Sequence, residues 1–300
     1  MSSADAAVQV FRELDNDDLR ALQIIETAMS EHEFVPREQI ARFTKMDLAR
    51  DVDFRITRLN KLGLVYQMRG AYVGYTLSYA GYDCLAINAL VKGGVIEAFG
   101  KSLGVGKEAD VFDALNTKGE RIAVKFHRLG RISFRQIRRR RSYTAAHAGW
   151  LYQSRLAAEK EFTALKLLFP YNVAVPEPLS QNRHVIAMGM IEGAELADYR
   201  KIPRPAEILK RILLNVRKAY VKAGVIHTDL SEYNIILKPN RQILIIDWPQ
   251  YVKKNHPNAE DLLTRDIQNI LQYFKRKHNL AVKLKENLDY VTGKAKTANI

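Results

Sequence analysis

The period of apolar and polar positions changes near residue 95, and that change divides the chain. Over residues 16–90 the period is largely helical. In "DNDDLRALQIIETAMSE", acidic residues precede Leu19, Leu22, Ile25 and Met29 at helical spacing, which predicts a capped helix. "REQIARFTK" predicts a short second helix. "DLARDVDFRITRLNKLGL" predicts a third, with Leu48, Val52, Ile56 and Leu59 on one stripe and Arg55, Arg58 and Lys61 off it. "LVYQMRGAYVGYTLS" then predicts two strands joined near Arg69–Gly70. Three short helices followed by a hairpin is the order of a winged helix-turn-helix. Such a domain lays its third helix and wing on nucleic acid, or docks on protein. "AGYDCLAINALVKGGV" predicts a helix leading out, with Gly93–Gly94 as a hinge.

Beyond Val95 the pattern is strand-rich. "IEAFGKSLGVGKEADVFDAL" and "ERIAVKFHRL" alternate as a hairpin turning at Lys118–Gly119. "RLAAEKEFTALKLLFPY" predicts a helix, "HVIAMGMIEG" a short buried strand, and "AEILKRILLNVRKAYVKAG" a long helix closed by Gly224. "NIILKPNRQILIID" reads as strand, Pro-Asn turn, strand. The fold class is α+β.

Composition narrows the setting. A single cysteine, Cys84, excludes an internal disulfide and a thiolate-built zinc cluster. No window approaches the ~18 consecutive apolar residues of a membrane span, and "MSSADAAVQVFRELDNDD" lacks the form of a secretion signal. A reducing, cytoplasmic setting with no membrane is the expectation. The net charge of +14 points to a polyanionic partner. The segment Arg128–Arg155 carries eight arginines and no acid, as a phosphate-binding surface or as a solvated loop.

The candidate chemistry lies in three places. "GVGKEADV", Gly104–Val111, is G-x-G-x-x-A-x-V; its glycines let backbone approach phosphates, and N–H groups in such a turn favour anions. Glu108 stands where a Walker A loop needs a hydroxyl, so it is not that loop. Lys125 in "IAVKF" sits among apolar neighbours and requires an anion. Glu161 on the next helix is the natural partner and Glu159 the alternative; a strand lysine so paired can hold α- and β-phosphates. "HTDLSEYN" sets Asp229 and Asn234 at the spacing of a phosphotransfer loop. The predicted hairpin returns Asp247 beside Asn234, ~5 Å across the ladder. An amide oxygen and a carboxylate so placed suit magnesium bridging phosphates. Asp229 faces the same space as base or substrate-orienting group, and His227 braces the loop.

With "IAVKFHRLGRISFRQIRRRRSY", "WLYQSRLAAEKEF", "VPEPLSQNRH", "MIEG" and "IDWPQ", these motifs make nearly the whole chain resemble the RIO family of atypical serine/threonine protein kinases. The branch is the one with an N-terminal winged helix, and the short chain is like an archaeal member. The resemblance implies a winged-helix domain over 1–92 and a compact bilobal kinase-like domain over 93–300. Within the latter it implies an N-lobe of about 93–187, a hinge at 188–193 and a truncated C-lobe over 194–300. It implies that Gly104, Gly106, Lys107 and Glu108 form the phosphate loop, and that Lys125 contacts phosphates and pairs with Glu161. Met188, Gly189, Met190 and Ile191 would receive adenine of ATP through backbone groups. Asp229 would be catalytic, and Asn234 and Asp247 would hold Mg2+, or Mn2+ in its place. In the family the aspartate matching Asp247 accepts phosphate covalently, which makes Asp247 catalytic as well. The arginine-rich segment matches a flexible loop over the nucleotide. The implied partner is the precursor of the small ribosomal subunit, its RNA and proteins, met by a monomer through the winged helix and Arg128–Arg155.

Some positions depart from ordinary kinases. Thr228 replaces the arginine of H-R-D and also the glycine usual in the RIO family. Trp248–Pro249 replaces Phe-Gly, no A-P-E follows, and the remaining chain is too short for a full peptide-binding lobe. Three functions compete: a serine/threonine phosphotransferase, an ATPase timing release from a ribosomal precursor, and a non-enzymatic RNA- or ribosome-binding module. The joint presence of Lys125, Asp229, Asn234 and Asp247 disfavours the third.

Overall fold

The computed structural model describes residues 2–44, 51–130 and 143–300, with the side chains of 143–148 excepted. Leu48 and Arg131–Arg141, which carried expectations above, lie outside the described residues. The chain divides into two compact units, Met1–Ala158 with Ser180–Ala187, and Glu159–Leu179 with Met188–Ile300.

The first unit opens with α1 (Ser3–Val10), α2 (Asn16–Ala28), β1 (Val35–Pro36), α3 (Arg37–Thr44), α4 (Asp53–Lys61), β2 (Val65–Arg69), β3 (Val73–Leu77) and α5 (Tyr79–Lys92). The strands form an antiparallel sheet in the order β1-β3-β2. This is the expected winged helix, with β1 and α1 in addition. α1 escapes a periodicity search because its buried residues are Ala4 and Ala7, too small to mark a stripe. Its start is nevertheless written locally: Ser2 and Asp5 form a reciprocal capping box.

Nor is α5 a connecting rod. Apolar nearly all round, it buries Ala80, Cys84, Leu85, Ala86, Ile87 and Leu90. Their core is continuous with Phe112, Val124, Phe126 and Val185 of a second sheet. Gly93 caps the helix and Gly94 turns the chain at φ +67, but the packing carries on past both.

That second sheet is built from β4 (Ala98–Val105), β5 (Ala109–Leu115) and β6 (Arg121–His127), then, after α6 (Tyr143–Leu168), from β7 (Pro178–Asn182) and β8 (Val185–Gly189). The order is β4-β5-β6-β8-β7. The expected β5–β6 turn is present: Asn116 Oδ1 accepts the N–H groups of Lys118 and Glu120, and Gly119 takes φ +78.

The second unit contains β9 (Ala194–Glu195), α7 (Pro205–Lys218), β10 (Val225–Ile226), β11 (Ile235–Leu237), β12 (Ile243–Ile245), β13 (Val252–Lys253), α8 (Ala259–His278) and α9 (Leu284–Thr292). A π-helical turn, Ala219–Ala223, extends α7 to Gly224 at φ +68, the predicted stop. Along α8, Leu263, Ile267, Ile270 and Phe274 recur at helical spacing and are buried, as are Ile208, Ile212 and Leu213 of α7. These two helices pack together beneath the short strands that carry the candidate chemistry.

Candidate active site

In the first unit the glycine loop is the β4–β5 turn. Gly104 lies opposite Val111 and Val105 opposite Asp110, after two irregularities in the β4 register. Gly106 N–H closes the turn on Ala109 O at 2.8 Å, leaving Lys107 and Glu108 exposed. A methyl on Gly106 would press on Ala109 O at 3.2 Å, so that glycine serves the turn. One on Gly104 would meet nothing within 4 Å, so the fold does not demand glycine there. On β6, Lys125 pairs opposite Val111 and is 9% exposed, within the wholly buried run Ile122–His127.

The residue after β6 anchors this loop from behind. Arg128 is buried; its N–H donates to Glu108 O at 2.6 Å and its Nη2 to Asp83 Oδ2 of α5 at 2.7 Å. Its Nε lies 3.5 Å from Asp110 Oδ2, and its guanidinium stands over the rings of Tyr79 and Phe126. The other oxygen of Asp83 is 2.6 Å from His184 Nε2, whose ring stacks on Tyr82. Burial pushes His184 down to about 4. Arg128 therefore cannot join an exposed phosphate-binding segment, because both its charge and its surface are enclosed. The readable signal was Asp83, an acid in an otherwise apolar helix, which requires a buried counter-charge.

On α4 the arginines read off the apolar stripe are paired within the fold. Arg55 pairs with Asp15, Asp17 and Asp18 at the start of α2, and Arg58 with Asp18 and Glu13 O. The Arg55 guanidinium holds the Asp15 carboxyl below the usual carboxylate range. Of the three cations read on this helix, Lys61 is exposed and Arg55 and Arg58 are partly buried; Phe54 of the same helix is 64% exposed.

In the second unit the segment after β10 forms a tightly bonded loop. Asp229 N–H donates to His227 Nδ1 at 3.3 Å, and His227 Nε2 reaches Ile246 O at 2.9 Å. With Trp248 packed 4.5 Å from its ring, His227 braces the loop, as expected. Asp266 of α8 accepts from Thr228 N–H at 2.7 Å and from Leu230 N–H at 3.1 Å, and burial raises its carboxyl. No local motif announced Asp266; it sits on the buried stripe of a helix far along the chain. Thr228 takes φ +73, a strained region for a β-branched residue and an easy one for the glycine usual in the RIO family. Its Oγ1 donates to Gln250 O at 3.1 Å, and Arg265 donates to its carbonyl.

Asn234 Nδ2 donates to Asp229 O at 2.8 Å, which leaves Oδ1 as its donor atom for a ligand. The β11–β12 hairpin pairs Ile235 with Ile245, and Ile246 N–H donates to Asn234 O at 3.0 Å. Asn234 therefore faces Ile246, and Asp247 comes one residue later than the expected pairing. The turn explains the shift: Lys238 N–H bonds Gln242 O, so the loop holds three residues and ends on Arg241 at φ +65. Asp247 itself takes φ +67, where the chain leaves the ladder.

Glu161 on α6 is 2% exposed and Glu159 more so, which makes Glu161 the carboxylate whose burial calls for a cation. Met188 is buried at the end of β8. Gly189 N–H is given to Glu177 O at 2.8 Å, so a base could take it only by displacing that bond. Met190 and Ile191 are partly exposed. Among the described residues no three His, Cys, Asp or Glu side chains are grouped to hold a metal. A cation on Asn234 and Asp247 would draw its other ligands from phosphates and water, as Mg2+ commonly does.

The family described as "RIO domain" matches residues 110–287, and that described as "Rio2, N-terminal" matches residues 11–93. The RIO-type serine/threonine-protein kinase Rio2 of Methanocaldococcus jannaschii is 45% identical over 275 residues, 88% of this chain and 100% of that protein. The serine/threonine-protein kinase rio2 of Dictyostelium discoideum is 36% identical over 273 residues, 90% of this chain but 52% of the relative. The Chaetomium thermophilum Rio2 kinase–ADP/Mg2+-phosphoaspartate complex superposes with a TM-score of 0.82 at 31% identity, covering 96% of this chain and 93% of that one. The chain belongs to the RIO-type serine/threonine-protein kinases, in the Rio2 branch.

Proposed function

We propose that this chain is an ATP- and Mg2+-dependent phosphotransferase, with Mn2+ able to serve, that passes the γ-phosphoryl group to a serine or threonine hydroxyl and to its own Asp247. The observation that carries the reading is one loop: Asn234 holds Asp229 O, receives Ile246 N–H, and is followed across the hairpin by Asp247 at φ +67. Asn234 Oδ1 and the Asp247 carboxylate are hard oxygen donors suited to Mg2+, which when bound neutralises phosphate charge. Lys125 and the N–H groups of the Gly104–Lys107 turn hold the phosphates. Asp229, exposed, takes the proton of the attacking hydroxyl. In the second branch an Asp247 oxygen attacks the γ-phosphorus and ADP leaves. Water then cleaves the acyl phosphate, releasing inorganic phosphate and restoring the carboxylate. The phosphoaspartate of the Chaetomium thermophilum relative supports this branch.

Hydrolysis would time release from the small-ribosomal-subunit precursor in the cytoplasm, with the chain acting as a monomer. The +14 charge supports an RNA-rich particle, and exposed Phe43 and Phe54 support winged-helix docking on its proteins. The test is turnover of γ-labelled ATP with Mg2+ by wild type, Asp229→Ala and Asp247→Ala, followed by hydroxylamine treatment. Label lost to hydroxylamine and absent in Asp247→Ala is the expected acyl phosphate. Hydroxylamine-stable label that requires Asp229 marks hydroxyl transfer. Absence of nucleotide binding and turnover in wild type would leave only the non-enzymatic module.

A further inference from the structure

Four segments of the second unit contain no acid: 166–176, 217–228, 248–259 and 290–300. Their formal charges are all positive, and the fold gathers these distant stretches around the second of them. The turn Phe169–Tyr171 packs on the π-helical turn Ala219–Ala223, and Lys218 Nζ donates to Asn172 O at 2.8 Å. Lys254 N–H donates to Gly224 O at 2.9 Å, and its side chain passes within 3.8 Å of a Cβ built on Gly224. Arg217 donates to Ala295 O at 2.8 Å, while a Cβ on Gly293 would touch Val221 at 3.6 Å. At this junction Lys222, Lys254 and Lys294 are exposed, and Phe169 and Tyr171 keep 41% and 48% of their surface in solvent.

Lysines alone would make an ordinary solvated face. Two exposed rings beside a junction of acid-free segments make a different surface. We infer that this face binds a single-stranded polynucleotide, its lysines following the phosphates and Phe169 and Tyr171 stacking on bases. A duplex hides the base faces that the rings would take. An anionic bilayer would satisfy the lysines but is better met by an amphipathic helix with its apolar side outward, whereas α7 and α8 bury theirs. The inference stands independently of the proposed phosphotransfer.

The test uses the full chain carrying Phe169→Trp, titrated with an oligouridylate of about twelve nucleotides, a length within a typical single-strand site. Saturable quenching of the new indole is expected, with log affinity falling against log salt by roughly 0.7 per phosphate contacted. Adding Lys222→Glu and Lys254→Glu should weaken binding at least about tenfold, since two phosphate contacts become repulsions. Lys201→Glu with Lys210→Glu, an equal charge change on exposed lysines elsewhere, should alter it by less than about twofold. Melting curves and ATP turnover matching the parent establish that each variant is folded, and Tyr171→Trp serves if Phe169→Trp is not. Absent quenching, equal loss in the control pair, or a response to phosphatidylserine vesicles without one to oligouridylate would overturn the inference.

Discussion

Asp266 is a residue on which the candidate loop depends without supplying chemistry of its own. It caps two buried N–H groups, those of Thr228 and Leu230, on either side of Asp229. Asp266→Ala leaves both donors unsatisfied, a cost of about 3 kcal/mol, and should lower ATP turnover by tenfold or more as Asp229 loses its position. Asp266→Asn, which retains an acceptor oxygen, should fall between. Denaturant melts and single-turnover rates on the three proteins check this; wild-type turnover in Asp266→Ala would separate Asp266 from the loop's function. The same residue shows where legibility stops. Asp229, Asn234 and Asp247 stand out by spacing, whereas Asp266 becomes visible only once a helix more than thirty positions away is folded against them.

Helices α2 to α7 were read from their periodicity, α8 was not read despite its apolar stripe, and in one hairpin a turn decided the outcome. The β11–β12 hairpin was legible as a hairpin, yet its three-residue loop moved Asp247 one place past the expected partner of Asn234. A single-residue change in loop length shifts every rung, and strand composition does not encode it. The same small sheet offers a test. Gly193 lies at φ +122, and a Cβ there would stand 2.4 Å from Leu237 O. Gly193→Ala should therefore cost at least about 2 kcal/mol by displacing β9 from β11. Gly104→Ala, with open space at the added methyl, should leave the melting temperature nearly unchanged and raise KM for ATP. Equal destabilisation by both substitutions would contradict the distinction between a structural and a functional glycine.

At the scale of the molecule, the Asp83–Arg128–His184 network makes stability depend on pH. An unfolded histidine titrates near 6.5, and His184 is pushed down to about 4, so on acidification the unfolded chain takes up its proton first. The contribution is therefore complete above about 6.5 and is lost progressively as pH falls from there to about 4, amounting to roughly 3 kcal/mol. Denaturation midpoints measured across that interval should fall more steeply for wild type than for His184→Gln; parallel curves would remove His184 as the cause.

The amino-acid sequence by itself determined the winged helix, the glycine hairpin, helices α2 to α7 and the residue types of the phosphotransfer loop. Each rests on local periodicity, local turn chemistry or short motif spacing. Only the tertiary structure decided that α5 belongs to a core continuing past Gly93–Gly94, and that Arg128, Arg55 and Arg58 face inward to Asp83, Asp110 and the start of α2. It also placed Asp266 beneath the loop and gathered four acid-free segments at one junction. A charge in a sequence has no partner until the fold supplies one, and pairing across long separations is what burial and desolvation select.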